Sequence, residues 1–470
     1  MHEHPSLFSL GLTAALAVAA LPATVCAEAL VEPTPSATRL PRSAAAIAPT
    51  APEVAELRAR GPEGLEAVLT RYDAAAPDAR DALAAEVDAV AGQRYATVSR
   101  LYWYTDLALA ERAAHALHRP ILALRMLGDL REDLSCANSR LFRSTLYANT
   151  TVSAFLRSHF VLYWSSERAV PTVTIDFGDG RKLVRTTTGN SAHYVLDEAG
   201  HVLDVLPGLY APTVFQRELT ASVALADQVR GLDDDARVRA TVAFHAAALT
   251  ATERAWRTAQ RVQYVAGRPF LLGEGDLGSA ISRAQLATVS KAAMEVPDLR
   301  AIGVVSPGEV PDEAEAWSAI GQQIWRIGLG HEPAPQAAYP IVPAPGARVP
   351  RHARAAAEAL PASIVLDDAS RALVARLHDA GPADQRATPA ELARVIARLE
   401  QHIVADTALD EFRLRPQIRR RLVATANTDL ASLNAWIYDQ VFATPGSDPW
   451  LGLRARTEFT GLPGDGVVMP

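Results

Sequence analysis

Residues 119–164 read RPILALRMLGDLREDLSCANSRLFRSTLYANTTVSAFLRSHFVLYW, and the order of their apolar runs sets the class of fold. The run ILALRML at 121–127 reads as a strand buried on both faces. A short polar turn follows, and Ser135-Cys136-Ala137-Asn138-Ser139 then opens a helix through Leu141, Phe142, Thr145 and Leu146. Val152, Phe155 and Leu156 mark a further amphipathic turn, and FVLYW at 160–164 is a second buried strand.

Upstream, residues 106–117 place Leu107, Ala110, Ala114 and Leu117 on one side of a helix. Arg119-Pro120 stops it, because a residue before proline is pushed out of the helical region. Downstream, residues 173–177 are strand-like, Gly178-Asp179-Gly180 is a turn and residues 181–188 return, so 171–190 reads as an inserted hairpin. HYVL at 193–196 and HVLDV at 201–205 flank Asp197-Glu198-Ala199-Gly200, a second hairpin whose loop ends in glycine. Pro207-Gly208 closes it, and a helix from about Pro212 carries Phe215 and Leu219.

This order of helix, strand, cysteine-led helix, strand, hairpin and helix resembles the thioredoxin superfamily. Arg119-Pro120-Ile121-Leu122 is similar to the family's entry into its first central strand. Cys136 falls at the start of the following helix, as the family's reactive cysteine does. Phe155-Leu156 before His159-Phe160-Val161 resembles the approach to the next strand, and Leu206-Pro207-Gly208 resembles the close of the domain. The resemblance spans residues 98–222, about a quarter of the chain. It implies an α/β thioredoxin-like central domain flanked by mainly α-helical segments. Three positions depart from the family. Ser139 replaces the second cysteine, giving a Cys-x-x-Ser motif. The cis-proline place opposite the cysteine falls on Ser191 or neighbouring Ala192, with Pro171 as the alternative. Leu134-Ser135 stands where the family has tryptophan.

A helix N-terminus favours the thiolate form of a cysteine, and Arg140 lies one turn on from Cys136. A thiolate can attack a disulfide, but with Ser139 as the partner the mixed disulfide would need an external thiol to release it. Catalytic use of the site would therefore be monothiol exchange, with Ser139 hydrogen-bonding the sulfur and Asn190, Ser191 and Arg140 lining a substrate groove. Its substrates would be exported proteins or small thiols. The alternative is that Cys136 is a small interior residue, as free cysteines often are, and that the domain is a non-catalytic or weakly catalytic binding scaffold in the cell envelope. That is the leading expectation. A third reading assigns the function to the C-terminal helices at 352–443, docking a partner through an exposed apolar patch.

The remaining segments say less about chemistry. The apolar run LFSLGLTAALAVAALPA at 7–23, followed by Val25-Cys26-Ala27, reads as a signal peptide over 1–27, which places the chain in the periplasm or outside the cell. Its removal leaves Cys136 as the only cysteine, so no internal disulfide can form. Residues 28–52 are a Pro/Ala/Ser/Thr linker, 53–97 predict two short helices, 223–330 a helical region, 331–351 a Pro-rich linker and 444–470 an irregular tail. Thr388-Pro389-Ala390-Glu391 is a capping box opening an apolar stripe at Leu392, Val395, Ile396 and Leu399. The net charge of −7 is spread along the chain and gives no footprint for nucleic acid. No other segment is long and apolar enough to span a membrane, no histidine spacing suggests a metal, and no glycine loop suggests a phosphate cofactor.

Overall fold

The computed structural model describes residues 52–186, 190–265, 365–381 and 386–442, with positions 444, 446, 447 and 449. The leader at 1–27, nearly all of the 28–52 and 444–470 segments, the 331–351 linker and the 266–330 part of the expected helical region lie outside the described residues.

The described residues open with four helices, α1 (Pro52–Ala59), α2 (Pro62–Ala74), α3 (Arg80–Ala91) and the single turn α4 (Ala96–Ser99). Two were expected. The expected break falls at Pro77, and the extra ones at Gly61, φ 66°, and Gly92, φ 75°, each of which interrupts a continuous helix. Leu65, Val68, Leu69, Val87 and Val90 form a small core of their own. Helix α5 (Leu107–Leu117) is capped by Asp106, whose carboxylate accepts from the Leu109 N–H at 3.1 Å.

The mixed sheet is built from β1 (Ile121–Leu127), β2 (Val161–Arg168), β5 (Ala192–Leu196) and β6 (Val202–Pro207). Their order is β2-β1-β5-β6. β1 runs parallel to β2 and antiparallel to β5, which is antiparallel to β6. Every residue of β5 and β6 is buried, as continuous apolar runs predict for strands covered on both faces. Tyr104 adds one parallel bridge to Tyr163. The expected inserted hairpin is present as β3 (Thr172–Asp176) and β4 (Lys182–Thr186), a two-stranded sheet turning at Gly178 and Gly180.

Between β1 and β2 the chain forms α6 (Ala137–Leu141), a π-helical turn (Phe142–Leu146) and α7 (Thr150–His159), which starts at the Asn149 cap. The single continuous helix expected through Leu146 is thus widened by one π turn. Helix α8 (Pro212–Val229) runs past residue 222, the expected domain end, and α9 (Asp234–Val265) follows a turn at Gly231. The C-terminal helices are α10 (Asp368–His378), α11 (Pro389–Leu409), α12 (Arg415–Thr425) and α13 (Leu430–Trp436), with π turns at Asp410–Leu414 and Ile437–Val441. The capping box at Thr388 and Glu391 forms as the sequence predicts.

Register places Leu124, Trp164, His193 and Leu206 on one sheet face, and Ala123, Tyr163, Tyr194 and Val205 on the other. On the first, His193 meets Phe142 of the π turn at 4.6 Å and Phe215 of α8 at 4.9 Å between ring centres. On the second, the Tyr194 hydroxyl donates to Asn434 of α13 at 2.8 Å. The connection from β2 to β5 is a hairpin and supplies no covering helix, so α13 covers Tyr194 instead. Leu433, Ile437 and Phe442 therefore belong to the same core as the strands. No helix among the described residues is long and apolar enough to cross a membrane.

Candidate functional site

Cys136 is the N-cap residue of α6, and its own N–H donates to Leu127 O at the end of β1. Its sulfur lies 3.0 Å from Ser191 Oγ and 3.4 Å from Ser139 Oγ. Three of the expected residues therefore meet, and the place opposite the thiol is held by Ser191 and not by Pro171, which precedes β3. Ser191 O also accepts from Gly208 N at 2.8 Å, which ties the end of β6 to the start of β5.

Behind the sulfur the hydroxyls form a chain. Ser139 Oγ donates to Ser135 Oγ at 2.7 Å, and Ser135 Oγ accepts from Arg143 Nη2 at 3.0 Å. Arg143 is almost wholly enclosed and also donates to the carbonyls of Leu130 and Glu132 at 3.0 and 2.8 Å. Burial lowers its pKa from the ordinary arginine value, with Tyr95 and Asp133 acting the other way. The sequence reading chose Arg140 as the cation near the thiol. Arg140 instead reaches to β4, donating to Thr186 Oγ1 at 2.9 Å. Arg143 lies seven positions after Cys136, a spacing that returns to the same helical face, and the π turn begins one residue before it, at Phe142. That turn limits α6 to five residues, which weakens the macrodipole expected at Cys136.

Asn190 is drawn under the C-terminal chain rather than into an open groove. Its Nδ2 donates to Thr444 Oγ1 at 3.1 Å, and its backbone oxygen accepts from the Tyr438 hydroxyl at 3.2 Å. Burial pushes the Tyr438 phenol well above its ordinary pKa, with Glu167, Tyr194 and Cys136 adding to the effect. Cys136, Ser135, Ser139, Asn138, Asn190 and Ser191 are all buried with no accessible surface. Among them, both amide atoms of Asn138 and Asn190 Oδ1 have no hydrogen-bond partner.

A second buried pair lies nearby. Tyr147 OH and His193 Nε2 share a hydrogen bond at 2.7 Å. Burial lowers the His193 pKa to about 3, so the ring is neutral at pH 7. Sequence reading treated His193 as an ordinary strand residue. The available signal was its odd-even register with Ser191, which puts both on one face of β5.

The chemistry of the site is that of one thiol, several hydroxyls and carboxamides, with no second thiol. Disulfide exchange requires a disulfide to approach the sulfur in line, and the enclosed Sγ offers no such approach. Among the described residues no cluster of three or more His, Cys, Asp or Glu side chains could hold a metal ion. A surface pocket of about 250 Å³ lies between α5, the β5–β6 turn and the end of α8. Its charged groups are already paired, Arg230 with Glu198 at 3.0 Å and Arg237 with Asp234 at 2.6 Å. It shares no residue with the Cys136 cluster.

The chain matches no family model, no curated protein and no solved structure.

Proposed function

We propose that this chain is an exported thioredoxin-like protein that acts as a binding scaffold in the cell envelope, with Cys136 held as an interior group. The thioredoxin-like part is supported by the strand order β2-β1-β5-β6, by a cysteine capping the helix that follows β1, and by Ser191 facing that cysteine from the head of β5. Export is supported by the apolar leader at 7–23 and its small-residue end at Ala27.

The observation that carries the functional part is the enclosure of the sulfur. Cys136 has no accessible surface, and its Sγ is within hydrogen-bonding reach of the Ser139 and Ser191 hydroxyls. Monothiol exchange is the second reading, favoured by this same gathering of hydroxyls around one thiol. The docking role for the C-terminal helices has less support, because Ile418, Leu422, Leu433 and Ile437 are spent on the shared core.

The test is turnover. Glutathione-dependent reduction of a peptide–glutathione mixed disulfide is expected to run no faster with the protein than with its Cys136→Ala variant. An acceleration that disappears in Cys136→Ala would replace the scaffold reading with monothiol exchange.

A further inference from the structure

We infer that the pocket between α5, the β5–β6 turn and the α8–α9 junction binds a free α-amino acid with an apolar side chain. This site goes beyond the scaffold reading and is independent of it, because it shares no residue with the Cys136 cluster.

Gly231, at φ 77°, turns the chain from α8 into α9 and brings Leu232 and Arg237 into the wall that also holds Asp197 and Glu198. Arg237 is only 9% exposed. Among the described residues its side chain makes one hydrogen bond, from Nη1 to Asp234 Oδ1 at 2.6 Å. Asp234 is an exposed carboxylate, so that pair is screened and weak. Nε is buried without a hydrogen bond; Asp197 Oδ2, at 3.6 Å, is too far to accept one. The Nε–Nη2 edge of a guanidinium is a fork that matches a carboxylate, and here it is unfilled. A buried donor without an acceptor is costly, and a ligand carboxylate removes that cost.

Glu198 supplies the opposite charge. Its Oε1 accepts from Arg230 Nε at 3.0 Å, which holds the side chain in place, while Oε2 has only His118 Nδ1 near it, at 3.8 Å. Pro120, Val229 and Leu232 add an apolar wall. Leu232 is one of four large apolar side chains that stand exposed among the described residues, and a ligand seated in the pocket removes it from water. A lone anion would meet Asp197, Glu198 and Asp234, and a lone cation would meet Arg230 and Arg237; a zwitterion answers both signs. At about 250 Å³ the site is smaller than the ~300–1,000 Å³ pockets that take drug-sized ligands, which suits a molecule of amino-acid size.

The experiment is isothermal titration calorimetry of the full chain with leucine, leucinamide and N-acetylleucine. Leucine is expected to bind saturably, with a Kd at or below about 1 mM. Leucinamide lacks the carboxylate for Arg237 and N-acetylleucine lacks the ammonium for Glu198, so each should bind at least about tenfold more weakly. Arg237→Gln should weaken leucine to the level of leucinamide. Because Arg237 is largely enclosed, Leu232→Asp, at an exposed turn position, is the second variant; it should weaken leucine at least about fivefold while leaving the melting temperature unchanged. No saturable heat from leucine up to about 10 mM overturns the site. Analogues that bind as well as leucine overturn the zwitterion, and leucine binding untouched by Leu232→Asp places the ligand elsewhere and overturns the assignment.

Discussion

Arg415 and Cys136 are both fully enclosed, and the C-terminal chain meets the sheet at each, yet their surroundings differ in kind. Around Arg415 three carboxylates are answered by guanidinium groups. Asp204 also accepts from Ser222 Oγ and from Val205 N, and Glu218 from Arg217 Nε. Burial alone would raise Asp204, but Arg415, with smaller help from His245, Arg419 and Ser222, outweighs it and leaves the carboxyl at about 2. Around Cys136 the groups within reach of the sulfur are neutral hydroxyls, and several amide atoms nearby are unmatched. One cluster joins parts of the fold, whereas the other is tolerated. Removing a member should therefore have opposite consequences at the two places.

The largest effect is expected at the charged cluster. Arg415→Ala leaves Asp204, Glu218 and Glu411 facing one another without their shared cation and should cost about 3–5 kcal/mol, read from urea unfolding at pH 7. A loss below about 1 kcal/mol would mean that the cluster does not hold α12.

The pH dependence gives the next test. His193 has its pKa depressed by burial from 6.5 to about 3, so its contribution is present above pH 6.5 and is lost as the pH falls toward 3. Asp88 has its pKa raised by burial from 3.8 to about 6, so its contribution is present below about pH 4 and is lost as the pH rises through 6. Between pH 4 and 6 the two oppose each other. In Asp88→Asn the opposition is gone, and stability should fall with acidification at up to about 1.4 kcal/mol per pH unit. An unchanged profile would place the Asp88 carboxyl in contact with solvent.

The smallest effect is expected at the neutral cluster, and its sign is the informative part. Asn138→Leu removes an amide with no partner, so thermal unfolding should shift by no more than about 1 kcal/mol in either direction. A loss of about 3 kcal/mol would show that Asn138 holds the site together.

The strands and the cysteine-led helix were legible because apolar runs, Pro120 and the Asp197–Gly200 loop are local signals. The Thr388 capping box was legible for the same reason. Cys136, Ser139 and Ser191 were placed together by the family resemblance, which, counted back from Gly200, set Ser191 or Ala192 opposite the cysteine, with Pro171 as the alternative. Arg143 was missed although its spacing of seven from Cys136 puts it on the same helical face, because Arg140 is the nearer cation in sequence. Asp410 was missed because its carboxylate packs against Gly208, at φ 76°, across a large separation in sequence. The Asn190 contacts with Tyr438 and Thr444 were invisible for the same reason. Long-range packing of a polar helix end leaves no periodic trace in either partner.

The most direct test of the central claim is the extent of Cys136 alkylation by iodoacetamide in the native protein at pH 7. Slow labelling that becomes complete only in denaturant is the expected result for a sulfur enclosed beside Ser139 and Ser191. Complete labelling within minutes in native buffer, at the rate of an unfolded peptide thiol, would contradict the scaffold reading and return Cys136 to the role of a reactive group.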